Sequence, residues 1–246
     1  MDLKFVARRM FNKMGYYVYK VVYKFEDGEY TFRLPYSYYT YSPWFEAWFR
    51  EIYAKIKNHT TVTEDRSYMI YRFCQHCLHL EGDFAECGVY KGGTAFLIAY
   101  AQEKNAVRDK KLHLFDTFSG MPTRANNDPG GHKENDFGDT SIDAVKEYLC
   151  HFPFVTLHSG LIPEIFTVVE DSKFAFVHID VDLYQSAKDC CTFFYDRMVR
   201  GGVMIFDDYG FPRYRFAEKQ AVDEFFRDKP ESLISLSTGQ CIVIKI

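Results

Sequence analysis

Long apolar runs, a surplus of basic charge and a cysteine framework are all missing from this 246-residue sequence, and each absence excludes a class of protein. No apolar stretch approaches the about 20 residues that a bilayer-spanning helix needs, so stable membrane insertion is not expected. The 30 Lys and Arg residues are outnumbered by 34 Asp and Glu, and a net charge of −4 argues against nucleic acid as the main partner. Because the seven cysteines show no regular spacing and residues 1–9 lack the apolar core of a signal peptide, we expect a reduced, cytoplasmic protein.

The one Cys-x-x-Cys pair, Cys74 and Cys77, has no second pair that would complete a zinc site. Positions three apart on a helix share a face, and unpaired cysteines are often simply buried. We therefore predict that both thiols belong to the core, with a zinc or redox site as the alternative.

The familiar phosphate-binding loops are also absent. No Lys precedes Thr94, as a Walker loop requires, and the neighbouring glycines do not follow the dinucleotide pattern G-x-G-x-x-G. Instead, a short predicted strand contains Glu86 and ends at Gly88, and Gly92 stands at the start of the helix that follows. Glycines let the backbone approach a ligand closely, and a helix N-terminus offers N–H groups to a carboxylate. The turn is a candidate ligand site, although packing alone also selects glycine-rich turns.

Strands and helices alternate from residue 83 to the C-terminus, and an apolar content of 47% suits one large α/β domain. The last two strands are separated only by residues 238–240, so they must form a hairpin, and one of them must run antiparallel to the rest. The predicted fold is a Rossmann-like doubly wound sheet of seven strands, mostly parallel with one antiparallel strand, with helices on both faces. We place the strands near 83–88, 111–116, 154–158, 174–180, 202–207, 232–237 and 241–246, and the helices near 92–103, 139–150, 162–170, 184–199 and 216–228.

Carboxylates follow two of these strands: Asp180 and Asp182 come after one, and Asp207 and Asp208 after another. In open α/β sheets, ligands bind at this edge. Such carboxylates would repel one another unless a cation neutralised them, and an all-oxygen set suits a hard ion such as Mg²⁺. His178, alone among apolar neighbours, is expected to be a buried hydrogen-bonded residue rather than a ligand.

The strand predicted at 111–116 ends in Asp116, where the ribose hydroxyls of a nucleoside lie in folds of this type. A turn or cap role is the alternative. Between residues 118 and 139 runs a loop rich in Asn, Gly and charge, which we predict to be a lid that orders on binding. Asp139 or Thr140 is expected to cap the next helix.

Residues 1–60 form a predicted aromatic-rich extension that precedes the main domain at 61–246. They hold ten of the nineteen tyrosines and both tryptophans. Rigid aromatics favour an arm that packs on the core or on a second subunit, and hence a homo-oligomer. Basic residues interleaved with tyrosines in 1–24 leave a membrane-surface or anionic-substrate patch as the alternative. Locally, residues 26–29 predict a hairpin turn, Pro43 opens a helix, and Thr63 caps a helix that reaches about Leu80.

Four separated motifs, at residues 82–89, 116–122, 178–184 and 201–209, resemble those of the macrocin O-methyltransferase (TylF-type) family of class I S-adenosylmethionine-dependent methyltransferases. The resemblance runs from about Thr61 to the C-terminus. It implies transfer of a methyl group from S-adenosylmethionine to a sugar hydroxyl in natural-product or glycan biosynthesis, with Mg²⁺. By this resemblance the metal ligands are Asp180, Asp207 and Asp208, the general base is Asp182, and the cofactor-binding residues are Glu86, Gly88, Tyr90, Gly92, Thr94, Asp116, Ser119, Asp139, Ser141 and Gly160.

Alternatives remain for the role of Asp182 and for the function of the protein. Asp182 could instead cap a helix or support a metal ligand. A phenolic or catecholic acceptor would fit the same chemistry as a sugar-containing substrate with adjacent hydroxyls, and residues 210–217 are bulkier than the corresponding family segment. A non-catalytic nucleotide-binding protein is the third hypothesis, which the cost of unneutralised carboxylates disfavours.

Overall fold

The structure is a computed structural model that describes residues 25–26, 31–32 and 41–246. The chain divides into two compact units, Met1–Thr40 and Tyr41–Ile246. In the first unit, strand Phe25–Glu26 pairs antiparallel with strand Thr31–Phe32, as the predicted hairpin requires. The turn itself and the basic, tyrosine-rich run at 1–24 lie outside the described residues.

The second unit is built on a seven-stranded sheet, which confirms the predicted fold. Its strands are β1 Asp83–Cys87, β2 Leu112–Asp116, β3 Val155–Ser159, β4 Phe174–Ile179, β5 Met198–Phe206, β6 Ile234–Ser235 and β7 Cys241–Ile244. Their order in the sheet is β3-β2-β1-β4-β5-β7-β6. Strands β1 to β5 are parallel, and β7 runs antiparallel to both of its neighbours.

The central strand β4 is buried at every position because helices cover both faces of the sheet. Alternate side chains of the strand, such as Phe176 and Val177, enter two separate cores. The first core is covered by helices α1 Ala47–Ile56, α2 Glu64–Cys77, α3 Gly93–Lys104 and α4 Ile142–Tyr148, and the second by α5 Tyr184–Tyr195 and α6 Glu218–Phe226.

Part of the predicted extension packs into this unit. Helix α1 buries Phe49, Ile52 and Ile56 in the first core. Residues 41–60 are therefore part of the compact unit that contains the sheet. A functional division between an extension and a catalytic domain at residue 60 stays a prediction.

Several local predictions are wrong. The segment expected to be a helix at 162–170 is a short 3-10 helix, Glu164–Val169, in which the β-branched run at 167–169 disfavours an α-helix. Ser141, and not Asp139 or Thr140, caps α4: its hydroxyl accepts a hydrogen bond from the N–H of Ala144 at 3.2 Å. Thr63 does occupy the predicted N-cap position of α2, although its hydroxyl donates to Asp65 instead of accepting from the backbone of the helix.

The cysteines behave as predicted. Cys74 and Cys77 are fully buried in the first core, where burial raises the pKa of both thiols, that of Cys77 to about 12. All seven cysteines fall in the described part of the chain, and all are free thiols. Within that part, no helix is long and apolar enough to span a membrane.

Candidate active site

Gly88 joins the turn after β1 to the acidic end of β4. Its φ of +84° lies in the left-handed region, and an added Cβ would stand 1.8 Å from the carbonyl oxygen of Asp180. The amide of Asp180 donates to the carbonyl of Cys87 at 2.8 Å, so the two strand ends are tied together. Only glycine fits where the two parallel strand ends lie side by side, and this close contact brings the predicted cofactor turn beside the predicted metal ligands.

Asp116 holds the turn after β1 in place. Its carboxylate accepts hydrogen bonds from the backbone N–H groups of Val89 at 2.7 Å and Tyr90 at 3.0 Å. A third bond comes from the N–H of Phe118 at 2.7 Å. Tyr90 has a φ of +52°, a strained conformation that these bonds maintain. The turn role weighed for Asp116 is thus present in the structure, while its contact with a ribose stays a prediction.

Two adjoining cavities open above this turn. The first is lined by Gly88, Asp116, Gly160 and Asp180 among others. The second, which is larger, is lined by residues that include Tyr90, Thr94, Asp180, Asp182, Asp208 and Tyr214. Gly88, Met121, Phe137 and Asp180 line both. The predicted cofactor and metal residues therefore meet along one continuous cleft.

Several other predicted cofactor-binding residues are not among the described residues that line these two cavities. Glu86 is fully buried, with its Oε1 2.8 Å from His178 Nδ1. Asp139 pairs with Lys91 at the surface and accepts a hydrogen bond from the Tyr90 hydroxyl at 2.7 Å. Ser119 lines a third cavity, which shares Thr117, Gly120 and other lining residues with the first. The roles that the family resemblance implies for these residues, and for Gly92 and Ser141, stay predictions.

Asp207 is the most heavily bonded carboxylate of the acidic cluster, which we define as Asp180, Asp182, Asp207, Asp208 and Glu218. One of its oxygens accepts from Gln240 at 2.7 Å and lies 3.4 Å from His178 Nε2, and the other is bonded to Arg66. Burial favours the neutral acid, but the hydrogen bond with His178 and the charge of Arg66 lower its pKa. His178 is fully buried and hydrogen-bonded, as predicted, and two acidic partners outweigh its burial and raise its pKa to about 10.

Three other members of the acidic cluster, Asp180, Asp208 and Glu218, are less well neutralised. Burial, and then the charges of neighbouring cluster members, raise the pKa of Asp180, Asp208 and Glu218. Glu218 is fully buried; its Oε1 accepts from the N–H of Asp208 at 3.0 Å, while its Oε2 has no hydrogen-bond partner among the described residues. Raised pKa values and an orphaned carboxylate oxygen mark a site with too little positive charge.

Asp182 is held in a separate polar group. Its backbone has a φ of +59°, and its Oδ1 lies 3.4 Å from Nε2 of the buried His132. That nitrogen is also 3.0 Å from the hydroxyl of Tyr214, and Nδ1 of His132 is 3.2 Å from Asp136. Burial opposes ionisation of Asp182, but the hydrogen bond with His132 outweighs it and lowers the pKa of the carboxyl.

The donor set of the cluster fits a hard divalent cation. Carboxylate oxygens of Asp180, Asp182 and Asp208 lie within 4.8 Å of one another, close enough to share an ion. Asp207 instead groups with Asp180 and His178, whose nitrogens already face Glu86 and Asp207. The predicted ligand set of Asp180, Asp207 and Asp208 is therefore spread over two overlapping groups, and the predicted base Asp182 lies in the first of them.

Sequence reasoning missed five residues of this site, which are Arg66, His132, Tyr214, Glu218 and Gln240. Arg66, His132 and Gln240 contact the carboxylates from distant parts of the chain, and no local spacing links them to the strand ends. Glu218 has the sequence pattern of an ordinary acidic residue in the first turn of α6.

The predicted lid contains one short 3-10 turn, Thr123–Asn127, and packs against the segment that follows β5. Arg213 donates to the carbonyl oxygens of Gly130 at 2.7 Å and Gly131 at 3.1 Å. Phe137, with a φ of +61°, contributes its ring to both cavities. The loop thus covers the cleft, while its ordering on binding stays a prediction.

Comparison with known proteins gives consistent matches. A family model described as macrocin O-methyltransferase (TylF) matches residues 61–231. The chain is 28% identical to demethyldecarbamoylnovobiocin O-methyltransferase of Streptomyces niveus over 141 residues, which cover 53% of this chain and 54% of that protein. It is 27% identical to mycinamicin III 3''-O-methyltransferase of Micromonospora griseorubida over 173 residues, 63% of this chain and 66% of that protein. The matches thus span between half and two thirds of these relatives.

Solved structures show the same fold. The O-methyltransferase NovP superposes with a TM-score of 0.68 at 24% identity, covering 76% of this chain and 82% of NovP. A calicheamicin methyltransferase superposes with a TM-score of 0.59 at 14% identity, covering 81% and 93% of the two chains. Both similarities are matches of architecture.

Proposed function

The chain belongs to the macrocin O-methyltransferase (TylF) family, and from this membership we propose that it is an enzyme that transfers a methyl group from S-adenosylmethionine to a sugar hydroxyl with the help of Mg²⁺. We also propose that it works in the cytoplasm as a homo-oligomer. The substrates in the relatives' names, a novobiocin precursor and mycinamicin III, support an acceptor that is part of a natural product.

One observation carries the proposal: an under-neutralised acidic cluster adjoins a glycine turn in a single cleft. Gly88 and Asp180 line both halves of that cleft. A purely structural cluster would be expected to satisfy its buried carboxylates internally, whereas Glu218 keeps an orphaned oxygen within the described part of the chain. The arrangement supports a reaction centre that receives a cation and two substrates side by side.

The half of the cleft at β1 and β2 suits the methyl donor. Gly88 and Gly160 let the backbone approach a ligand closely, and Asp116 lies at the end of β2, where a ribose would bind. Met121 and Phe137 give this half apolar walls that exclude water from a sulfonium. S-adenosylmethionine bound here supplies the methyl group.

The half at β4 and β5 suits the acceptor. Methyl transfer breaks a carbon–sulfur bond, forms a carbon–oxygen bond and releases the hydroxyl proton, which needs an acceptor. Asp182 is placed to take that proton, because it faces the cleft and its hydrogen bond with His132 keeps it ionised. A divalent ion held by Asp180, Asp207 and Asp208 would lower the pKa of a neighbouring hydroxyl and fix its orientation.

The proposal is tested by a substrate panel. Purified protein is incubated with S-adenosylmethionine, Mg²⁺ and either glycosides with adjacent hydroxyls or catechols, and the products are analysed by mass spectrometry. We expect methylated glycosides, and we expect EDTA to stop the reaction. Methylated catechols alone would replace the sugar acceptor with a phenolic one, and binding of S-adenosylmethionine without any transfer would favour a non-catalytic protein.

A further inference from the structure

We propose that Arg66 is a built-in counter-ion of the acidic cluster that must leave it before a divalent cation binds, so that helix α2 competes with the metal. The inference rests on the proposed function, since it takes the cluster to be the metal site. It goes beyond that function in two ways. It assigns a role to a residue outside the four family motifs, and it links metal binding to the segment that precedes α2.

Arg66 reaches into the cluster from the first turn of α2. Its Nη1 is bonded to Asp207 Oδ2 and lies 3.3 Å from Asp208 Oδ1. The side chain is 11% exposed, and its guanidinium carbon lies 5.1 Å from the ring centre of Phe211. The guanidinium is therefore a buried cation that engages two of the three predicted metal ligands.

A guanidinium and a metal ion would compete for the same oxygens. Asp208 offers its Oδ1 to Arg66, and carboxylate oxygens of Asp208 also complete the group with Asp180 and Asp182 that could share one ion. A divalent ion at that point would stand close to a fixed positive charge with little water between them, which is repulsive. The carboxylates could turn fully toward a metal only after Arg66 had withdrawn.

The remaining contacts of Arg66 connect this exchange to the cleft wall. Its Nε donates to the hydroxyl of Thr63 at 3.2 Å, and its Nη2 donates to the carbonyl of Thr61 at 3.4 Å. Thr61 lines the larger cavity, and the carbonyl of His59 in the same segment accepts from the N–H of Gly93 at the start of α3. Displacement of Arg66 would release one anchor of residues 59–63 beside the predicted cofactor turn.

A permanent supporting role predicts the opposite effect. If Arg66 stayed on Asp207 while metal was bound, it would orient that ligand, and its removal would weaken metal binding. The sign of the change in metal affinity therefore separates a competitor from a support.

The measurement is calorimetric titration of full-length, cofactor-free protein with Mg²⁺ and, as a second probe, Mn²⁺. Arg66→Gln should bind the ions about tenfold more tightly or better, on the scale of a close charge pair. Arg72→Gln is the matched control, because Arg72 lies on the same helix but is exposed and donates to the side chain of Gln75 at 3.0 Å. Loss of that charge should change affinity by less than about threefold, as for an exposed charge.

A second readout uses the wild-type protein and so does not depend on the variant folding. Hydrogen exchange of residues 59–67 should become faster when Mg²⁺ is added, because the Arg66 anchor is lost. Unchanged exchange, or metal binding by Arg66→Gln that is equal to or weaker than wild type, would overturn the competitor role and leave the metal-dependent enzyme intact. If neither the wild type nor the variant binds metal, the metal part of the proposed function fails together with this inference.

Discussion

At the scale of single residues, Gly88 carries the strictest steric requirement. A Cβ there would collide with the Asp180 carbonyl at 1.8 Å, and the backbone already has a φ of +84°. We expect Gly88→Ala to lower the free energy of unfolding by about 3 kcal/mol or more, since strain and overpacking add.

Gly131→Ala is the matched control for that substitution. Gly131 has a similar φ of +72°, but a Cβ there would meet nothing within 4 Å. Its cost should be that of the backbone conformation alone, about 1 to 2 kcal/mol. Chemical denaturation of both variants measures the difference, and equal losses would show that the contact with Asp180 relaxes freely.

Substitutions of Asp180 and Asp182 should have different effects on metal binding and on the rate of the chemical step. Asp180→Asn should abolish metal-dependent turnover and leave affinity for S-adenosylmethionine within a few fold, because a ligand charge is lost from the acidic half of the cleft. Asp182→Asn should keep metal binding and slow the chemical step by about 10² to 10⁴, the usual range for a general base.

Single-turnover rates and calorimetry on the two variants test this division. Asp109→Asn, at an exposed position far along the chain from both strand ends, serves as the control and should behave as wild type. Loss of metal binding in Asp182→Asn would place this residue among the ligands, in keeping with its proximity to Asp180 and Asp208.

At the scale of elements, the turn after β1 depends on a side chain of β2. The carboxylate of Asp116 accepts three hydrogen bonds from backbone N–H groups, two from the turn after β1 and one from the turn after β2. We expect Asp116→Ala to weaken binding of S-adenosylmethionine by about 1 to 3 kcal/mol, the scale of charged hydrogen bonds, through lost turn geometry as well as lost ribose contact. Isothermal titration gives the value, and unchanged affinity would remove Asp116 from the cofactor site.

Elements with a strong local pattern could be predicted from the sequence. The predicted bounds of β1, β2 and β4 agree with the structure within one residue, because buried parallel strands leave largely apolar runs in the sequence. The 3-10 helix at Glu164–Val169 and the cap at Ser141 were missed, since short segments follow local backbone details that propensity does not resolve.

The polar network around the carboxylates could not be predicted from the sequence. Arg66 and Gln240 are 174 residues apart, yet Gln240 donates to the carbonyl of Arg66 and both bind Asp207. His132 reaches Asp182 from the middle of a loop. Such contacts join residues that are far apart in the sequence, so no periodicity or spacing in the sequence predicts them.

At the scale of the whole molecule, truncation tests the role predicted for the aromatic extension. Unit Tyr41–Ile246 has its own cores, so deletion of residues 1–40 should leave its thermal unfolding nearly unchanged. Because residues 1–40 hold eight tyrosines and tyrosine is enriched at subunit contacts, the deletion should lower the mass seen by light scattering or raise the acceptor KM. A truncated protein with the same mass and kinetics would point to another role, with membrane-surface binding the next to test.

The two halves proposed for the cleft are lined in part by different segments of the chain. Residues 211–217 contribute Arg213 and Tyr214 to the proposed acceptor half, and the segment follows Gly210, which is packed against the backbone of Gly239. The turn after β2, with Asp116, Thr117 and Gly120, lines the proposed methyl-donor half, whereas the turn after β1 contributes to both halves. On this division, exchange of residues 211–217 between homologues, with Gly210 kept as the junction, should change the acceptor preference more than the affinity for the methyl donor.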